Sequence, residues 1–121
     1  MTHKPFAVII GIGFLVAGIL GFVPHITVNG LLLNIFAVDP MHNWVHIISG
    51  VIALAVSCSD KAAKIYFQIF GIIYALVAIL GFAMKGQILM MHMNMADNYL
   101  HIVLAVIILY LGFFFKPAKT V

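Results

Sequence analysis

Four long apolar runs dominate the sequence and leave little choice of fold. They cover residues 6–23, 40–57, 65–84 and 96–115, and each approaches the roughly 20 residues that a helix needs to cross the hydrocarbon core of a bilayer. In lipid, a backbone group without a hydrogen-bond partner is so costly that such runs must be helical. Since 65% of the residues are apolar and 7% are charged, we expect an all-α polytopic membrane protein. It would form one domain, residues 1–121, built as a bundle of four transmembrane helices.

The few charged residues exclude some functions and set the orientation. All basic residues are lysine and all acidic ones are aspartate, so there is no arginine to bind phosphate, and we expect no nucleic-acid partner. Five lysines fall at one end of the predicted bundle, and only Lys85 falls at the other. The positive-inside rule then places both termini in the cytoplasm. The five are Lys4, Lys61, Lys64, Lys116 and Lys119.

An internal repeat divides the chain into two helical hairpins, at about residues 6–57 and 65–115. The matching segments are 11–22 with 71–82, at an offset of 60, and 42–47 with 97–102, at an offset of 55. Because each repeat contains two helices, both halves cross the membrane in the same sense, and a pseudo-twofold axis along the membrane normal would relate them. Corresponding residues should therefore lie at similar depth.

Local signals agree with this alignment. Asp39 and Asn94 occupy corresponding positions at the starts of the second and fourth helices, where such side chains cap the backbone. On the first helix Gly13, Ala17 and Gly21 recur every four residues, a spacing that favours close helix packing in lipid. Two of these three small residues have larger counterparts in the second repeat, so we expect close packing on that face in the first repeat alone.

Polar residues near the outer ends of the second and fourth helices form the main candidate site. His42 and His46 lie four residues apart on one helical face, and Asp97 and His101 repeat this spacing. Three imidazoles and a carboxylate suit Zn(II) or Cu(II), so we predict a metal site here. In the alternative, Asp97 caps its helix, His42 faces the outer interface, and His46 and His101 hydrogen-bond across the bundle. The protein would then be a structural or partner-binding subunit.

The sequence contains two other candidate sets of ligands. His46 and His101 alone would suit bis-imidazole ligation of a b-type haem, although no arginine is present to bind the propionates. The second outer loop offers thioethers, which favour Cu(I); the alternative is that they only fill apolar space. This secondary candidate set consists of Met90, Met91, His92, Met93 and Met95. The first outer loop, residues 29–36, is apolar but too short to span, so we expect it at the membrane interface or dipping back.

The order of these motifs resembles a bacterial family. One hairpin contains Asp39-Pro-Met-His-Asn-Trp-Val-His46, and the other contains Ala96-Asp-Asn-Tyr-Leu-His101. The pattern resembles domain-of-unknown-function family 4383 over nearly the whole chain. The resemblance implies a small four-helix protein of the bacterial inner membrane, with no settled activity and without the methionine cluster in its pattern.

The residue pattern favours a protein that is not an enzyme. In the sequence no acid pair falls in the middle of a helix, no nucleophile has an adjacent base, and no glycine-rich loop precedes a helix. The expected partners are the lipid bilayer and either a second copy of the chain or another membrane protein.

Overall fold

Four helices make up most of the protein, whose computed structural model describes residues 2–88 and 91–117. Helix α1 spans Lys4–Leu20, α2 spans Pro40–Val56, α3 spans Asp60–Ala83 and α4 spans Met95–Leu109, and a π-helical turn at Tyr110–Phe114 continues α4. The predicted all-helical architecture is therefore confirmed. Among the described residues, α3 and the segment Met95–Phe114 are long and apolar enough to cross a membrane, whereas α1 and α2 are shorter apolar helices.

The two outer loops contain short antiparallel strands, which the sequence did not lead us to expect. The first loop is a small meander in the order β1-β2-β3, and the second is a two-stranded hairpin, β4-β5. The bounds are β1 Thr27–Val28, β2 Leu31–Leu32, β3 Phe36–Ala37, β4 Gln87–Ile88 and β5 Met91–His92. Asn29 and Gly30 connect β1 to β2 with φ angles of 54° and 77°, and residues with such positive φ form the tight turn of a two-residue hairpin.

The two helical hairpins make corresponding contacts. Gly11 packs against Leu54 and Gly71 against Leu109, and these pairs match at the offsets of 60 and 55. Nearer the outer end, a Cβ atom on Gly21 would overlap the side chain of Asn43, and a Cβ atom on Gly81 would overlap that of Asn98. The absent side chains therefore let each pair of helices approach closely in both hairpins.

The predicted stripe of small residues is partly wrong. Gly13 is exposed, and no atom of the described residues outside its own helix and chain neighbours lies within 4 Å of where its Cβ would be. Gly11 and Gly18 take the close contacts with α2 instead. Close packing is also not confined to the first hairpin, because Gly71 and Gly81 provide it in the second.

A histidine links the two hairpins at the end of the bundle opposite the strands. The backbone N–H of His3 donates to Asp60 Oδ1, and its Nδ1 lies 3.2 Å from Asp60 Oδ2. His3 is buried against Phe67 and Phe115. The lysines Lys4, Lys61, Lys64 and Lys116 lie near this end, at the starts of α1 and α3 and after α4; Lys119 lies outside the described residues.

Candidate metal centre

Three histidines from α2 and α4 meet inside the end of the bundle that carries the strands. The ring centroids of His42 and His46 are 4.4 Å apart, and those of His101 lie 5.7 Å from His42 and 6.2 Å from His46. One nitrogen from each ring can be chosen so that all three lie within 4.8 Å of one another. All three side chains are buried. The structure thus brings together three of the four residues predicted to bind a metal.

The start of α2 positions the first two histidines. Asp39 is the N-cap, and its Oδ1 accepts a hydrogen bond of 2.9 Å from the backbone N–H of His42. Pro40 occupies the first turn, where its fixed φ and missing N–H cost nothing. His46 lies one helical turn further along, so the two imidazoles share the buried face. His42 does not face the outer interface, because only 1% of its surface is exposed.

Asp97, the fourth predicted ligand, has a different role in the structure. Its Oδ2 accepts a hydrogen bond of 3.0 Å from the backbone N–H of Asn94, while its own N–H donates to Asn94 Oδ1 at 3.0 Å. This reciprocal pair is a capping box at the start of α4. Asp97 is buried but is not part of the group of close ligand atoms. The carboxylate therefore caps the helix that carries His101.

The histidine nitrogens have unused hydrogen-bonding capacity. Both ring nitrogens of His42 and His46, and Nδ1 of His101, are buried without a hydrogen-bond partner in the described part of the chain. A buried polar group left without a partner costs about 1 to 3 kcal/mol. In the described part of the chain, His46 and Nδ1 of His101 therefore do not make the hydrogen bonds across the bundle that the structural alternative expects. One nitrogen from each of the three rings could instead serve as a ligand to a metal ion.

An aromatic pair lies beneath the histidines. Phe14 and Tyr74 stack with ring centroids 5.1 Å apart, Phe14 lies 5.8 Å from His46, and Tyr74 lies 5.7 Å from His101. The Tyr74 hydroxyl is hydrogen-bonded to Ser49 Oγ at 3.0 Å. Sequence reasoning missed Phe14, Ser49 and Tyr74. The repeat held a signal for the aromatic pair, because positions 14 and 74 correspond at the offset of 60.

The sequence model of the family described as domain of unknown function DUF4383 matches residues 4–114. The chain belongs to this family. No curated protein and no solved structure matches it. The chemistry of this DUF4383 member must therefore be inferred from its own residues.

A cavity of about 200 Å³ opens beside the three histidines of this DUF4383 protein. Its walls come from α2, α3, α4 and the second outer loop. They consist of His42, Val45, His46, Ile48, Ser49, Phe70, Ile73, Tyr74, Val77, Met91, Met93 and His101. Two residues of the predicted Cu(I) cluster, Met91 and Met93, thus lie at the same cavity as the histidines.

The rest of that cluster is arranged differently. His92 is exposed, and its Nδ1 is 2.8 Å from Gln87 Nε2. Met95 is 54% exposed on the first turn of α4, and Met90 lies outside the described residues. The predicted set of five is therefore divided. The described methionines at the histidine cavity are Met91 and Met93.

A second cavity, of about 330 Å³, lies against the opposite hairpin of the DUF4383 protein and also touches His46. Most of its lining residues correspond, at the offsets of 60 and 55, to residues that line the first cavity. They are Ile9, Ile10, Gly13, Phe14, Ala17, His46, Leu100 and Leu104. Its walls are apolar except at His46, so it lacks the hydroxyl pair and the thioethers of the first cavity.

The distances between the three histidine rings can be compared with the haem site that the sequence offered as an alternative. A macrocycle ligated by His46 and His101 would have to lie between their rings. The centroids of those two rings are 6.2 Å apart, and the ring of His42 lies 4.4 Å from His46 and 5.7 Å from His101.

Proposed function

We propose that this DUF4383 member is a small integral membrane protein that holds one Zn(II) or copper ion on His42, His46 and His101, near the outer ends of α2 and α4. The observation that carries the proposal is the group of five buried ring nitrogens without partners in the described chain. Each neutral imidazole can donate one lone pair to an ion. Three such ligands leave a fourth position for water, substrate or another side chain.

The distribution of polar and apolar residues supports a place in the membrane. Ile9, Ile79 and Val106, on three different helices, are 62%, 63% and 63% exposed, whereas the three histidines are buried. Such an exposed apolar surface is unusual for a soluble monomer but ordinary in lipid. At 17 residues each, α1 and α2 are roughly 25 Å long, which is the lower end of the length that spans a bilayer.

We propose four spans arranged as two parallel repeats, which these properties and the corresponding contacts of the hairpins support. The lysines favour cytoplasmic termini in the bacterial inner membrane. A fluorescent protein fused after Val121 should then fold and fluoresce in the cytoplasm, and alkaline phosphatase fused after Gly86 should be active outside it. The opposite pair of results would overturn this orientation.

The metal is tested on protein purified in detergent. Wild-type protein should retain one Zn or Cu ion per chain at neutral pH, measured by elemental analysis and by competition with a chromophoric chelator. His46→Ala and His101→Ala should each lose stoichiometric binding. His25→Ala, which alters an exposed histidine of the first outer loop, is the matched control and should keep it. Binding should weaken on acidification, because protons compete with the ion for the ring nitrogens.

Two other outcomes would redirect the proposal. A Soret band in the purified protein, lost in His46→Ala and His101→Ala, would favour haem. No metal above background at neutral pH would leave a structural or partner-binding subunit, in which the buried polar residues serve helix capping and packing alone.

A further inference from the structure

The extended segment formed by β5 and Met93 buries both methionines at the cavity that the histidines line. Met91 and Met93 are 6% and 3% exposed, while His92 between them is exposed. This alternation is the period of an extended chain, whose successive side chains point to opposite sides. The two thioethers therefore share one side, and both line the cavity that His42, His46 and His101 also line.

A single carboxylate fixes this strand to the histidine helix. Asp39 Oδ1 accepts from the backbone N–H of His42 at 2.9 Å, and Asp39 Oδ2 accepts from the backbone N–H of His92 at 3.2 Å. The N–H of Met93 also donates to the carbonyl of Gly86 at 2.7 Å. The backbone beside both methionines is thus positioned relative to the start of α2, where the first histidine lies.

Space filling alone does not account for these methionines. They pack with Ile88 and Val77, a role that leucine would serve equally well. Yet a cavity of about 200 Å³ remains beside them. The second cavity, which residues of α1, α2 and α4 line, has no methionine in its wall.

We infer that Met91 and Met93 complete the histidine site with at least one thioether ligand and make it selective for Cu(I). The inference rests on the proposed function, because it requires that the three histidines bind metal. Imidazole nitrogen serves both Zn and Cu, whereas thioether sulfur is a soft ligand that favours Cu(I). The mixed set of three nitrogens and sulfur should therefore hold Cu(I) more tightly than the histidines alone would, while adding little for Zn(II).

The test compares Met91→Leu/Met93→Leu with Met41→Leu/Met84→Leu in detergent-purified full-length protein. Leucine replaces methionine at similar volume, so both variants should fold. Met41 and Met84 are 41% and 50% exposed and lie outside the cavity wall. Competition with a chromophoric Cu(I) chelator and, separately, with a Zn(II) chelator gives the two affinities, and copper X-ray absorption reports whether sulfur is bound.

For Met91→Leu/Met93→Leu we expect Cu(I) affinity to fall by about 10- to 100-fold, a loss seen even when a side chain that only supports a metal ligand is removed. The sulfur signal should disappear and Zn(II) affinity should not change. The control should match wild type in all three measurements. If the variant keeps its Cu(I) affinity while His46→Ala loses Zn(II), the thioether inference fails and the proposed function stands.

Two further results separate the hypotheses. If wild-type protein binds neither ion, the proposed function fails and the inference fails with it. If Met91→Leu/Met93→Leu loses Cu(I) but His46→Ala and His101→Ala keep it, the methionine loop binds copper without the histidines, and the mixed site is wrong.

Discussion

The two hairpins agree at the positions that pack helices together and differ at the positions that surround the histidines. Both have a capped start, at Asp39 and Asn94, and both place a glycine against a buried asparagine. The differences lie around the two cavities. The pairs are His42 with Asp97, Ser49 with Leu104, and Tyr74 with Phe14.

At Gly11 with Gly71 and at Gly21 with Gly81, the same residue serves the same helix packing in both halves. His46 and His101 also correspond, and both are proposed ligands. The remaining residues around the histidines differ between the halves. The three histidines, the hydroxyl pair and the two methionines line one cavity, whereas its counterpart has only apolar walls apart from His46.

The largest effect should be on metal affinity, when asparagine replaces His42 in one variant and Asp97 in another. His42→Asn removes a proposed ligand, so metal affinity should fall by about 100-fold or more, the upper end of what losing a residue that supports a ligand costs. Asp97→Asn weakens the capping box but should leave metal affinity unchanged. Chelator competition on both variants checks this. Equal losses at the two positions would restore Asp97 to the ligand set and contradict the asymmetry seen here.

Where the hairpins agree, substitutions should have equal effects. Gly21→Ala and Gly81→Ala each force a methyl group onto a buried asparagine, Asn43 or Asn98, and overpacking of this kind costs about 1 to 3 kcal/mol. Thermal unfolding in detergent should show similar losses for both. Gly13→Ala, facing open space, is the control and should unfold like wild type. A large loss in only one hairpin would mean that the two are packed differently.

Removing either N-cap side chain should lower the stability of the protein by a similar amount, but the two changes should differ in their effect on Cu(I) binding. Asp39→Ala and Asn94→Ala each remove a cap, at a cost of about 0.5 to 2 kcal/mol, which thermal unfolding can measure. Asp39→Ala also frees the His92 backbone, so it should weaken Cu(I) binding beyond any effect of Asn94→Ala. Comparable Cu(I) affinities in the two variants would argue against a positioning role for Asp39.

The smallest effect concerns the hydroxyl pair that distinguishes the first cavity. Tyr74→Phe removes the hydrogen bond to Ser49 and should destabilise the protein by about 1 kcal/mol. Because removing both partners leaves neither unsatisfied, Ser49→Ala/Tyr74→Phe should cost less than the two single changes together. A double-mutant cycle by thermal unfolding gives this coupling. Strict additivity would show that the bond contributes nothing to stability.

Much of the helical framework could be predicted because it depends on local signals. The sequence directly shows the apolar runs, the capping residues Asp39 and Asn94, and the offsets of the repeat. The i, i+4 spacing also brought His42 and His46 to one face correctly. The face that each helix buries was harder to predict, because these helices carry apolar residues on their exposed sides as well, so the pattern does not mark the interior. The sequence therefore predicted close packing at Gly13, whereas in the structure Gly11 and Gly18 make the close contacts with α2.

The positions of Met91 and Met93 depended on an extended segment too short to predict. The alternation of Met91, His92 and Met93 spans three residues, which is less than a periodic pattern needs to be recognised. Its direction is set by distant contacts, such as the bond from His92 to Asp39. For the same reason, the methionines and the histidines looked like separate candidates until the fold placed them at one cavity.

The repeat has a consequence for how many ligands such a site can contain. Two identical hairpins meeting about a twofold axis would present every side chain twice, so a centre on that axis could take ligands of each kind only in pairs. In a single chain that contains both hairpins this restriction does not apply, because the two hairpins can have different residues at corresponding positions. A set of three imidazoles, two from one hairpin and one from the other, can therefore form in a single chain. It could not form on the axis of a symmetric dimer of identical hairpins.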